Sequence, residues 1–414
     1  MTGIAPRGGT FLRVTFPLAG VNFINQASRS ALALLGPLLA IEFGLSAGDL
    51  GLLAAILFMA YGAAQLPVGV ALDVYGARRV QMILTAVAAA GFVISATAPD
   101  ALAFGAGRLI TGLGVSAGLM AMMKANAQYY PSAGVAGATG LGVFVGSMGG
   151  VAATWPVQAV LPDIGWRGVF WLLSALCLAI IAWITLSLPA RAPGGTARRG
   201  LLTEALEFRG IFRHPRFVRL VPVAAMLSVM NFTYQGLWVG PWLRDAGGLG
   251  DEARAVLLLI YALGLMAGNL GAGAASNWVQ RRGFGPMAVP VGATLLLMAA
   301  QAWLAMFPPA SFTWLAAAWT LFSFSAATGP VAYAAVSQGF PPALAGRVAT
   351  AINFSMLAGV VVVQNLIGRI LDLWPRTPSG GWDPEGYAWA LALTILLHAA
   401  ALFWFAIAPK EPRA

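Results

Sequence analysis

Apolar runs of about twenty residues, separated by short polar or glycine- and proline-bearing turns, recur along the whole chain. About twenty apolar residues make a helix as long as a bilayer's hydrocarbon core is thick. The pattern predicts spans near 12–40, 49–72, 80–98, 101–129, 135–161 and 166–188. After a polar stretch come spans near 217–242, 253–277, 285–307, 311–338, 346–372 and 386–408. The reading is an all-α membrane protein with twelve transmembrane helices in two pseudo-symmetric six-helix bundles. Residues 1–188 form the first bundle, 189–216 a basic linker and 217–414 the second bundle.

One interruption of the apolar pattern falls inside a span. Asn22, Asn25, Gln26 and Arg29 stand at i, i+3, i+4 and i+7, so a helix collects them into one polar stripe. Three amides and a guanidinium on one face must meet protein or water rather than lipid, and intramembrane charge marks a functional site by default. The other reading keeps Arg29 structural, bonded to carbonyls of a neighbouring helix.

Composition agrees with the pattern. Of 414 residues 59% are hydrophobic and 9% charged, where a soluble domain carries about 25% charged residues. The formal charge is +10, yet no basic cluster is shaped for nucleic acid, and the excess reads through the positive-inside rule. With both termini inside, sixteen Lys and Arg fall on the inner side. Only Arg167, Arg244, Arg254 and Arg376 fall outside, and Arg29, Arg108, Lys124 and Arg369 within spans make up the total of 24. Both termini are therefore expected in the cytoplasm, with a bacterial inner membrane as the setting. Cys177 is the only cysteine, which excludes an internal disulfide and a thiolate metal site. The linker is basic and partly amphipathic, suited to lie on the inner membrane face.

The halves echo each other. Asn22-Phe23-x-x-Gln26-x-x-Arg29 reappears as Asn231-Phe232-x-x-Gln235-x-x-Trp238, and Gln128-Tyr129-Tyr130-Pro131 as Gln338-Gly339-Phe340-Pro341. Two matches at corresponding places argue for an internal duplication, an arrangement that puts a solute site between repeats near mid-membrane.

Between the second and third spans stand Gly69, Asp73, Gly76, Arg78 and Arg79 in the order G-x-x-x-D-x-x-G-x-R-R. This resembles the cytoplasmic loop motif of the major facilitator superfamily, whose role in that family is a conformational latch. A degraded copy follows at Gly273, Asn277, Arg281 and Arg282. Arg108-x-x-x-Gly112-x-Gly114 resembles the superfamily's fourth-helix pattern, about 12 Å along the span from Asp100. Arg108 reads either as a second cavity cation or as a brace on carbonyls. Lys124 reads as a snorkelling amine or as a gate or binding group, and Arg369 as an i,i+3 partner of Asp372.

The acids sharpen the chemistry, because none lies deep in a span. A cavity with arginine and without carboxylate favours an anion. The Arg in span one, with Tyr61-x-x-x-Gln65-x-Pro67-x-Gly69, Tyr129-Tyr130-Pro131 and the Gly165-Trp166-Arg167 opening of span six, resembles the anion–cation symporter branch. Val115 stands where such symporters often have an acid, and span five lacks an antiporter Gly-Pro signature.

The expectation is a secondary transporter of a small organic anion, working by alternating access as a monomer. It needs no cofactor or metal, binds no nucleic acid, and is not an enzyme. Expected substrate contacts are Asn22, Asn25, Gln26, Arg29, Arg108 and Lys124 on one half, and Asn231, Tyr234, Gln235, Trp238 and Tyr333 on the other. The alternative is efflux or uptake of a neutral or amphipathic solute, with the arginines structural.

Overall fold

The computed structural model describes residues 9–189, 208–306, 311–341, 344–378 and 380–409, and most of the predicted linker lies outside them. Among the described residues the chain is helical without strands. It divides into two compact units. One holds Met1–Leu45 and Leu52–Ala197; the other holds Ser46–Gly51 and Arg198–Ala414.

In the first unit a π turn, Phe11–Thr15, runs into helix α1, Phe16–Glu42. There follow α2 (Ala47–Ala96, its first turn as far as Gly51 belonging to the second unit), α3 (Ala101–Val115), α4 (Gly118–Tyr129), α5 (Ser132–Ala152) and α6 (Trp155–Ser187). Helix α2 is two spans joined at Gly76, whose φ of 79° a side chain would strain. The loop motif's second glycine is therefore required by backbone geometry. Gly165, φ 63°, breaks α6 in the same way. Helix starts follow from local chemistry: the Asp100 carboxylate accepts from the Ala103 amide at 2.8 Å and caps α3.

Helix α1 is the organising element of this unit and packs chiefly on α5, with α6 and α4 beside it. Glycines on α5 allow the approach. A Cβ at Gly149 would collide with the Phe23 carbonyl, and one at Gly146 would lie 2.7 Å from the Asn22 Cβ. Without a water-exclusion force between membrane helices, such backbone contact is a main source of their attraction.

The second unit contains α7 (Pro215–Thr233), a π turn at Tyr234–Trp238, α8 (Val239–Asp245), α9 (Asp251–Arg281) and α10 (Ala288–Met306). It ends with α11 (Phe312–Ala326), α12 (Gly329–Ser337), α13 (Ala345–Leu371) and α14 (Pro384–Ile407). Its core is aromatic: Trp319 lies 5.1 Å from Phe322 and 5.2 Å from Trp242, ring to ring. Among the described residues ten segments are long and apolar enough to cross a membrane. The polar stripe keeps α1 out of that set, and α5, 21 residues long, contributes the apolar stretch Gly137–Ala152. With these two the helices supply the twelve spans read from the hydropathy pattern.

Candidate functional site

The stripe on α1 is real and inward. Asn22 and Asn25 are buried, at 9% and 5% exposure, while Gln26 and Arg29 are half-buried. A regular helix through Phe16–Glu42 keeps the four on one face, as their spacing requires. The Asn22 amide reaches toward the Met122 sulfur at 3.9 Å and is boxed by Gly118 and Gly146. Arg29 donates to the Gln26 side-chain Oε1 one turn back. Its guanidinium lies 5.9 Å from the centre of the Phe58 ring, with the Tyr61 hydroxyl near enough to interact. The Asn25 Oδ1 is buried without a hydrogen bond.

Arg108 has a different place. It is 1% exposed and its Nη1 donates to the Ser28 carbonyl at 2.9 Å. It clamps α1 to α3 at the residue before Arg29, and the two cations are close enough to repel each other. A charge-assisted bond of this kind contributes about 1.5–3 kcal/mol, which offsets much of the cost of a buried guanidinium. Of the two roles its position allowed, the brace is the one its contacts display.

Lys124 leaves the stripe altogether. Its amine donates to the Leu72 carbonyl at 2.5 Å and to the Asp73 carboxylate at 2.6 Å. Its flexible stem delivers the ammonium to the Asp73 carboxylate at the loop motif. Arg78 donates to the Thr185 carbonyl at 2.7 Å, tying the same loop to α6. Arg369 differs from expectation. The Asp372 carboxylate accepts from the amides of Ala47 and Gly48, at 2.8 and 2.7 Å. A helix N-terminus offers two oriented N–H donors and a positive dipole end, and outcompetes the flexible arginine.

In the second unit the echo is re-aimed. The π turn at Tyr234–Trp238 adds a residue to the turn, so a regular i, i+3, i+4, i+7 register does not run through it. Asn231 and Gln235 are half-buried, whereas Tyr234 and Trp238 are buried at 2% and 0% exposure. The Tyr234 ring stacks 4.8 Å from Phe322 within the aromatic core. Trp238 lies 6.2 Å from Trp382, and its indole N–H has no acceptor. Tyr333, on α12, is half-buried near Ser228.

Sequence reasoning passed over Gln364. It is wholly buried on α13, and neither its amide nitrogen nor its oxygen has a partner. A Cβ on Gly51 would stand 2.8 Å from the Gln364 backbone carbonyl and 3.4 Å from the edge of the Trp238 ring, so both flank Gly51. The only signal was one amide after four valines. Gln65, 6% exposed with an unpartnered Nε2, is a similar case in the first unit.

Among the described residues Arg108 and Arg254 are buried cations, and the Asp245 carboxylate of the second unit, 2% exposed, is paired with Arg244 at 2.6 Å and accepts from the Tyr387 hydroxyl. Among them, too, no group of three His, Cys, Asp or Glu is placed to hold a metal. A polar, basic face in an apolar unit can orient one small solute by hydrogen bonds and charge.

A family model described as Major Facilitator Superfamily matches residues 18–363. The chain belongs to that superfamily. Human Monocarboxylate transporter 11 is 28% identical over 289 residues, 68% of this chain and 59% of that protein. The Chloramphenicol resistance protein of Streptomyces lividans is 27% identical over 239 residues, 56% of each chain. A protein of Cupriavidus necator named "Probable sulfoacetate transporter" is 25% identical over 309 residues, 70% of each. The chain thus spans 59% and 56% of the length of the first two relatives. Among solved structures, the nucleoside transporter NupG superposes with a TM-score of 0.79 at 14% identity, covering 96% of this chain and 100% of that one. A D-xylose–proton symporter gives 0.69 at 17% identity, covering 96% and 97%. These likenesses establish the major facilitator fold of a multi-pass membrane protein.

Proposed function

We propose that this superfamily member is a secondary transporter, not an enzyme, and moves a small organic anion across the membrane by alternating access. The observation that carries the reading is the one-signed charge deep within the spans of the first unit: Arg29 on the polar face of α1, with Arg108 fixed on the adjoining Ser28 carbonyl. Two like charges in an apolar unit raise the potential there and favour a carboxylate or sulfonate over a neutral solute. Arg29 would meet the anion, Asn25 and Gln26 would orient it, and Arg108 would hold the helix that presents them. Asn22, Asn231, Gln235, Trp238 and Tyr333 are proposed to complete the contacts, with Tyr234 supporting them from the aromatic core. Relatives named for monocarboxylates and for sulfoacetate are of the same substrate chemistry.

Gly69, Asp73, Gly76, Arg78 and Arg79 are proposed as the conformational latch, joined by Lys124 as partner of Asp73. The six-helix bundles 1–188 and 217–414, the 189–216 linker, cytoplasmic termini, a bacterial inner membrane and a monomeric state belong to the same reading. The cytoplasmic termini rest on the charge bias along the sequence.

A second reading, carriage of a neutral or amphipathic solute, is favoured by the brace role of Arg108 and by the chloramphenicol-resistance relative. Uptake of labelled organic acids into proteoliposomes separates the two. Arg29→Ala should abolish acid uptake while the protein still purifies and melts normally; unchanged uptake would overturn the anion reading.

A further inference from the structure

A groove of about 830 Å³ opens on the outer surface of the first unit, where the first π turn meets the end of α6. Arg13, Ala179, Ala182, Trp183, Leu186 and Ser187 line it, and none of them is acidic. It lies away from the polar stripe, and the transport reading makes no use of it.

The lining is graded along α6. Ser187 is the last residue of that helix, and Arg13 stands opposite within Phe11–Thr15. From Ser187 back to Ala179 the helix runs about 12 Å, past Leu186 and the Trp183 indole to a floor of Ala182 and Ala179. Trp183 is 42% and Leu186 87% exposed, and the Phe16 ring, 5.1 Å away, steadies the indole. Arg13 is exposed, and Arg78 adds a second cation at the same end through its bond to the Thr185 carbonyl. A charged mouth, an amphipathic ring and an apolar trough in that order match a lipid's headgroup, interface and acyl chain. A soluble anion would use the mouth alone and leave the trough without an occupant.

We propose that this groove seats one anionic phospholipid from the adjacent leaflet, its phosphate on Arg13 and an acyl chain along Ala179, Ala182 and Leu186. The π turn has a part in this: by widening the helix just before α1 it sets Arg13 beside α6.

Native mass spectrometry of the full chain, titrated with phosphatidylglycerol or phosphatidylcholine, tests the site without reference to transport. One arginine–lipid attraction corresponds to about fivefold in affinity. Wild type should therefore retain phosphatidylglycerol about fivefold better than phosphatidylcholine, and Arg13→Gln should remove that preference. Ala182→Leu, which fills the trough without changing charge, should weaken both lipids. Arg282→Gln, at an exposed site on the other unit, should change nothing. Equal retention by wild type and Arg13→Gln would overturn the proposal, as would an equal loss in Arg282→Gln. Displacement of the lipid by millimolar inorganic phosphate would also overturn it, marking a small-anion site instead.

Discussion

Residues 22–29 and 231–238 have the same spacing, each 209 positions from its counterpart, and the structure uses them differently. In the first copy a continuous α-helix carries Asn22, Asn25, Gln26 and Arg29 on one face. In the second a π turn begins at Tyr234, four residues into the repeat, and ends at Trp238. The first unit has its own π turn, but it precedes the stripe, at Phe11–Thr15. The same periodicity thus yields a polar face in one case and buried aromatics in the other. Side-chain periodicity predicts a face only where the backbone keeps its turn.

The contrast predicts effects of different size. Replacing Arg29 should have the largest functional effect, a loss of anion uptake by two orders of magnitude or more on the scale of a lost charge-assisted contact left unpaired (about 3 kcal/mol), with the melting temperature unchanged. Trp238→Phe keeps the ring but removes the N–H; uptake should fall by no more than about tenfold if the second copy contributes hydrogen bonding rather than charge. Equal losses at the two positions would erase the asymmetry.

Arg108→Met should act on stability first. It removes the bond to the Ser28 carbonyl, so the melting temperature should drop by several degrees, whereas Arg29→Ala should leave it in place. A chemical-denaturation or thermofluor comparison of the two variants in one detergent separates brace from binder.

Gln364→Leu has the opposite sign. Two buried, unpartnered polar atoms cost about 1–3 kcal/mol each, so the leucine variant should melt higher than wild type. If Gln364 serves the solute, that gain comes with weaker uptake; a stabler variant with full uptake would make it merely a frustrated core residue.

The smallest effect is at Glu42, at the end of α1. Partial burial opposes ionisation there, but donation from Arg167 at 2.6 Å and from Trp166, with the Arg167 charge, outweighs it and holds the carboxyl below its usual range. A folded-state pKa below the unfolded one gives stability that is present above the unfolded value, near 4.3, and lost as pH falls through the folded value. Both side chains are more than a third exposed, so the contribution is a few tenths of a kcal/mol at most. Glu42→Gln should flatten the acid side of the melting-temperature profile below about pH 5.

Much of the fold was legible because hydropathy, glycine and capping residues act locally. Asp100 before α3 and Gly76 at φ 79° are signals a sequence carries by itself. The stripe at Asn22–Arg29 was legible for the same reason. Partners were harder, since they depend on tertiary approach. Lys124 finds Asp73 across 51 positions, and Asp372 prefers two amides of Ala47 and Gly48 to the arginine one turn away. The π turn could not be read from spacing, because a one-residue widening leaves no mark on which residues are polar. Gln364 looked like an ordinary amide until its burial and its lack of partners were known.

The central claim is that Arg29 confers preference for an anion. The most direct measurement is the shift in melting temperature of the purified protein with short-chain carboxylates and sulfonates, each beside its isosteric amide, for wild type and Arg29→Ala. The account predicts that at least one acid raises the melting temperature of wild type, that its amide does not, and that the alanine variant loses the response. Equal stabilisation by acid and amide, or a response that survives Arg29→Ala, would contradict it.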